Sequence, residues 1–173
     1  MDINKEYPKS SSSLTDTYPQ PISIDERRDA ILYMIRITGP IAYARRINAM
    51  VYLLQEDLKE NEKIDLGYKF EYGISGVYSN SLMSDLNFME MIGYGYCERN
   101  FEHSYGLTSS GASFVDWSIK KEIKPEIIKE INRMAEKYKK EYKKEECFRE
   151  LVGKVIGLYW GEKLGLKRVK DKG

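Results

Sequence analysis

Three apolar-periodic segments, two of them closed by glycine, followed by two short alternating runs, most constrain what this chain can fold into. The first begins near Ile24-Asp25, with Asp25 as the expected N-cap. It places Ala30, Ile31, Met34, Ile35 and Thr38 at helical spacing before Gly39-Pro40 stops it. A second helix is predicted over 41–58, with Ile47, Met50, Val51 and Leu54 on one face and Arg45 and Arg46 turned away from the core. Tyr68, Phe70 and Tyr72 then alternate with Lys69 and Glu71, a period of two that predicts a short strand ending at Gly73. A third helix follows Gly76-Val77-Tyr78, with Ser79 as N-cap and Leu82, Leu86 and Met89 on its inner face. It runs to Ile92 and ends at Gly93, because glycine tolerates the left-handed conformation that closes a helix.

Residues 94–99 and 104–107 read as two antiparallel strands around a hairpin turn, and Thr108 caps the helix entered at Leu107-Thr108. Helix, helix, helix and a two-stranded wing is the order of a winged helix-turn-helix domain. From Ile119 onward apolar residues recur at 119, 123, 127, 131, 134/135, 138 and 142, which predicts an amphipathic helix of at least six turns. Pro125 is expected to mark a first turn rather than a kink. The segment Phe148 to Leu164 is the most hydrophobic of the chain, yet too short and too interrupted by charge to cross a membrane. The fold expected is therefore mainly α (α+β). A disordered N-terminal tail spans 1–24, a winged-helix domain 25–118, a C-terminal helical dimerisation segment 119–166, and a basic tail 167–173.

The run from Asp65 to Glu98, with Tyr105 to Gly111 after it, resembles the YwgA-like proteins and the related Panacea-type antitoxin domain. The matching residues are Gly76, Tyr78, Ser79, Leu82, Asp85, Leu86, Gly93, Leu107, Thr108 and Gly111, with Val77 where the family commonly has proline. The stretch Arg45 to Leu54 also resembles the family's second helix, and the resemblance covers about residues 26–115. It implies a winged-helix fold and, through the antitoxin branch, a protein that works by binding another protein.

Charge divides the chain. Residues 1–118 carry 11 basic and 17 acidic side chains, and residues 119–173 carry 17 basic and 10 acidic, so a formal net charge of +1 is the sum of two opposed halves. Residues 25–118 alone hold 9 basic against 14 acidic. Basic contacts to phosphate supply most of the affinity of ordinary DNA binders, so this balance works against groove docking by the third helix. That helix has no Lys or Arg from Ser79 to Ile92, while Asn80, Ser84, Asn87 and Met91 lie opposite its apolar face. Asn can read adenine in the major groove and Ser is permissive.

The leading expectation is a non-enzymatic DNA-binding protein, a transcriptional regulator or nucleoid-type binder. Asn80, Ser84 and Asn87 would face the groove. Arg27, Arg28, Arg45, Arg46, Arg99, Lys139, Lys140, Lys143, Lys144, Lys167 and Arg168 would hold phosphates. A homodimer through the C-terminal helices is expected with it. The alternative is a protein-interaction module, antitoxin-like or adaptor, using the acidic winged helix.

No Gly-rich phosphate loop, nucleophile–base pair or metal-ligand spacing is found in the sequence, so neither catalysis, a cofactor nor a metal is expected. Cys97 and Cys147 with the single His103 make no zinc set. Tyr94, Tyr96 and Tyr105 are read as wing core, with base stacking as the alternative. The Lys and Glu excess over two Gln, with 14 Tyr, suggests a thermophilic source, where an intracellular Cys97–Cys147 bond stays open. The N-terminus has no basic start followed by an apolar core, so a cytoplasmic protein without a membrane partner is expected.

Overall fold

The computed structural model of the chain describes residues 18–74, 76–99, 103–139 and 145–164. These residues are mainly helical, with small two-stranded sheets. Order begins earlier than the sequence suggests. Strand β1 (Gln20–Pro21) pairs in parallel with β2 (Ile64–Asp65), so part of the segment expected to be a tail is fixed to the chain beyond the second helix. Helix α1 (Ile24–Thr38) is capped by Ser23 rather than Asp25. The Ser23 hydroxyl accepts from the Glu26 N–H at 3.1 Å and the Glu26 carboxylate accepts from the Ser23 N–H at 3.0 Å. This reciprocal box satisfies two otherwise orphaned donors at once, which Asp25 cannot do from inside the first turn.

Helix α2 (Ala44–Asn61) starts three residues later than expected, because Ile41 is spent on a bridge. Its N–H and carbonyl exchange hydrogen bonds with Tyr105 at 2.9 and 3.0 Å. The predicted alternation at Tyr68–Tyr72 resolves into a hairpin of β3 (Glu71–Gly73) and β4 (Gly76–Tyr78), with Tyr72 opposite Val77. Helix α3 (Asn80–Met91) has the predicted N-cap. The Ser79 hydroxyl accepts from the Leu82 N–H, and the buried Asn48 of α2 accepts from the Ser79 N–H at 2.8 Å. Gly93 ends the helix at φ 78°, as expected for its position.

Strands β5 (Gly95–Glu98) and β6 (Ser104–Leu107) form the predicted antiparallel hairpin, Gly95 opposite Leu107 and Glu98 opposite Ser104. Thr108 caps α4 (Ser109–Phe114) by accepting from the Gly111 N–H at 3.1 Å and donates to the Gly93 carbonyl at 2.6 Å. That second bond ties the end of α3 to the start of α4.

The long helix predicted from Ile119 is not continuous. A π-helical turn at Val115–Ile119 and a short α5 (Lys120–Glu122) end at Ile123 and Lys124, both extended, and α6 (Pro125–Lys137) begins anew with Pro125 in its first turn. A residue before proline is pushed out of the helical region, which breaks the run without disturbing its apolar period. Ile119, Ile123, Ile127, Ile131, Met134, Ala135 and Tyr138 are all buried. They are buried within the chain: α6 packs on α1 and α2, and α7 (Glu145–Lys163) packs on α2 and β4 through Leu151, Val155 and Tyr159. The stripe expected to pair across a two-fold axis is therefore occupied by the chain's own first two helices. No helix among the described residues is long and apolar enough to cross a membrane.

Candidate functional site

Helix α3 divides as its spacing predicts. Leu82, Asp85, Leu86 and Met89 are buried, while Asn80, Ser84, Asn87 and Met91 are exposed. The Ser84 hydroxyl donates to the Asn80 carbonyl at 2.9 Å, so its proton is held by its own helix and its oxygen remains an acceptor. Beyond Met91, Ile92 adds a second exposed apolar side chain.

The inner face holds the main departure from expectation. Asp85 is 1% exposed, and each of its oxygens accepts from a different arginine of α1: Arg27 Nε to Oδ2 and Arg28 Nε to Oδ1, both at 2.8 Å. The Tyr68 hydroxyl donates to Oδ2 at 3.1 Å. The Arg27 guanidinium lies 4.8 Å from the Tyr68 ring centroid and that of Arg28 lies 4.0 Å from the Phe88 centroid. Burial, reinforced by the Asp85 charge, pushes the Tyr68 phenol far above its ordinary value, so it stays a proton donor to Asp85. Arg27 and Arg28, expected to reach phosphates, instead anchor the inside of α3 to α1. An acidic residue three positions after Leu82 falls within the apolar stripe, and that spacing is the sequence signal that Asp85 needs buried partners.

The other predicted cations are scattered. Arg46 is only 7% exposed, contrary to the expectation that it points outward, whereas Arg45 is exposed. Both guanidinium groups lie beside the Tyr43 ring, at 5.1 and 5.2 Å from its centroid. Helix α2 is enclosed by α6, α7, β2 and β4, so it lacks the open outer side on which the prediction relied. Arg99 reaches across from the hairpin to Glu90 of α3 at 3.2 Å. Lys139 is exposed, and Lys140, Lys143, Lys144, Lys167 and Arg168 lie outside the described residues.

Tyr94 and Tyr105 serve the packing expected of them, whereas Tyr96 is half-buried with its ring over Gly106. Tyr94 stacks on Phe114 with centroids 4.6 Å apart, and Tyr105 is buried. Gly111 lies so close to this hairpin that a Cβ there would fall on the Tyr94 carbonyl. A hollow of about 10 Å³ between Ile35, Leu86, Tyr96 and Tyr105 has room for about one water, too little for an organic ligand. Cys97, beside it, is a free thiol, while the Cys147 side chain lies outside the described residues. No group of three His, Cys, Asp or Glu among the described residues is placed to hold a metal ion.

On α1, Asp29 faces an acidic neighbourhood. Partial burial, then the charges of Glu122, Asp25 and Glu26, push its carboxyl up to about 6. Lys124 relieves part of this charge through Glu26, at 3.1 Å. The exposed positions of α3, Asn80, Ser84, Asn87 and Met91, are uncharged, while Arg27 and Arg28 are bonded to Asp85 and Arg99 to Glu90. No family model, curated protein or solved structure matches the chain.

Proposed function

We propose that the chain is a non-catalytic, intracellular winged-helix module that binds a protein partner through the outer face of α3. One observation carries this reading: Arg27 and Arg28 are bonded to the buried Asp85, which leaves Asn80, Ser84, Asn87, Met91 and Ile92 as an uncharged, half-apolar surface. Such a face lacks the cations that phosphate binding draws on, and exposed apolar residues next to adaptable polar ones suit protein contact. The order α1, α2, α3 and the β5–β6 hairpin supports a winged helix, and the resemblance to YwgA-like proteins and Panacea-type antitoxin domains supports an antitoxin-like or adaptor role. A homodimer through α6 forms no part of this reading, because its apolar stripe is buried on α1 and α2.

A photo-crosslinking residue at Asn87, with a control at the exposed Lys129, tests it. A discrete protein adduct is expected from position 87 and none from 129. Equal labelling at both positions would sink the proposal.

DNA binding is the second reading, and two observations favour it. The exposed Asn80, Ser84 and Asn87 keep base-reading chemistry, and the first turn of α2 has no side-chain cap, no acidic residue and an exposed Arg45. Titrating duplex DNA at about 50 and about 200 mM salt separates the two readings. The protein-binding reading expects no affinity at either concentration; a loss of several hundred-fold between them would match roughly six phosphate contacts and favour DNA.

A further inference from the structure

The start of α1 and the joint between α5 and α6 gather four carboxylates. Asp25 and Glu26 stand four and three positions before Asp29, the spacing at which helix side chains are neighbours and like charges repel. Glu122 ends α5, and its charge weighs on Asp29 more than that of either neighbour on α1. Three of the four are held. Lys124 lies 3.1 Å from Glu26, Arg28 lies 3.8 Å from Asp25, and the Ser118 hydroxyl donates to Glu122 at 3.3 Å. Asp29, although half-buried, has neither a cation nor a hydrogen-bond donor within reach among the described residues.

The cations of the surrounding elements are engaged elsewhere or face solvent. Lys129 and Arg133 of α6 are turned to Glu62 and Asp57 of α2. Arg36, two turns along α1, bonds Asp116 of the π-helical turn, and Arg27 and Arg28 bond Asp85. On α5, Lys120 is exposed and Lys121 lies over the Trp117 ring, while Glu126 at the start of α6 is exposed. The chain is also jointed here. Ile123 and Lys124 are extended between α5 and α6, and α5 has only three residues, so few backbone bonds resist its displacement. Its neighbour, the π-helical turn, packs on α1.

We propose that this junction is a pH-sensitive catch: the π-helical turn and α5 stay seated on α1 while Asp29 is protonated, and loosen about Ile123 and Lys124 when it ionises. Ionisation sets a second carboxylate against Glu122 with no cation to compensate it, in a site too sheltered for water to screen the pair fully. Partial burial and the three neighbouring charges push the Asp29 carboxyl up to about 6. A group raised in the folded state stabilises below its ordinary value and ceases to as pH rises through the raised one, so the catch is set in acid and released near neutrality. The proposal does not depend on what α3 binds.

Hydrogen exchange of the full-length protein, corrected for intrinsic rates, tests it between about pH 5 and about pH 8. Protection of the amides of residues 115–124 should fall about tenfold across that range, with a midpoint near 6, while the β5–β6 hairpin keeps its protection. Asp29→Asn should abolish the change and leave the segment protected at the higher pH. Glu122→Gln should move the midpoint down. Constant protection across the range, a change that survives Asp29→Asn and so belongs to another group such as His103, an unmoved midpoint in Glu122→Gln, or a loss spread equally over the hairpin would each overturn the proposal.

Discussion

Arg27 on the first helix donates its Nε–H to Asp85 on the third at 2.8 Å, across 58 positions of chain. Arg28 mirrors it on the other carboxylate oxygen, so two cations and a buried anion fix the distance between the helices. Removing one partner of a buried pair costs more than the pair contributes, since the remaining charge is left without compensation. Asp85→Ala is therefore expected to destabilise the protein by about 3–5 kcal/mol in urea unfolding. Replacing Arg27, Arg28 and Asp85 together by Met, Met and Leu should recover much of that loss. A triple variant no more stable than Asp85→Ala would refute a purely electrostatic anchor.

Ser23 and Asp25 separate under the same measurement. Ser23→Ala breaks the capping box with Glu26 and should cost about 1 kcal/mol, whereas Asp25→Ala, with its side chain in solvent, should change stability little. A larger loss at Asp25 would restore it as the helix cap.

The pH dependence of Asp29 follows from its raised folded-state value of about 6 against an ordinary 3.8. Folding favours the protonated carboxyl. Its stabilising contribution is therefore full below the ordinary value and is lost as the pH rises through about 6. Asp29→Asn should raise stability at pH 7–8, by about 1 kcal/mol once solvent screening of this half-exposed group is allowed for, and should do little at pH 3. Thermal midpoints across that range check it; a gain confined to acid would contradict the assignment.

Gly111 and Gly93 should fail differently. Gly111→Ala drives a methyl group into the Tyr94 carbonyl, a backbone atom that cannot turn aside, and is expected to cost more than about 3 kcal/mol. Gly93→Ala meets open space and bears only the strain of φ 78°, about 1 kcal/mol. Comparable losses at the two sites would mean that the hairpin shifts to make room.

The parts of the fold legible in the sequence were those written within a few neighbouring residues. Ser79, Gly93 and Thr108 sit at the helix ends their chemistry favours, and the alternation from Tyr94 to Leu107 gives the hairpin. Ser23…Glu26 carried an equally local signature and outranks Asp25 because two bonds form instead of one. The apolar period from Ile119 to Tyr138 falls on buried side chains, with Tyr142 outside the described residues. It gave neither the buried Glu130 nor the break, which Pro125 imposes through Lys124 and its neighbour. Which charges meet is a matter of tertiary approach. Nothing local to Arg27 and Arg28 distinguishes them from solvated helix surface, and nothing local to Arg46 shows that α2 is surrounded by other elements. The outer face of α3 was readable because exposure there follows the helical period; the cations expected around it were not.

The Tyr52 and Tyr159 rings lie 6.4 Å apart, although 107 positions separate them in the chain. A ribosome releases the first partner long before the second. Until α7 has emerged, the part of α2 and of the β3–β4 hairpin that Leu151, Val155 and Tyr159 cover stays open. Closure of this side of α2 consequently waits on chain far downstream, and a nascent chain halted at residue 118 would expose a sticky surface to chaperones and proteases.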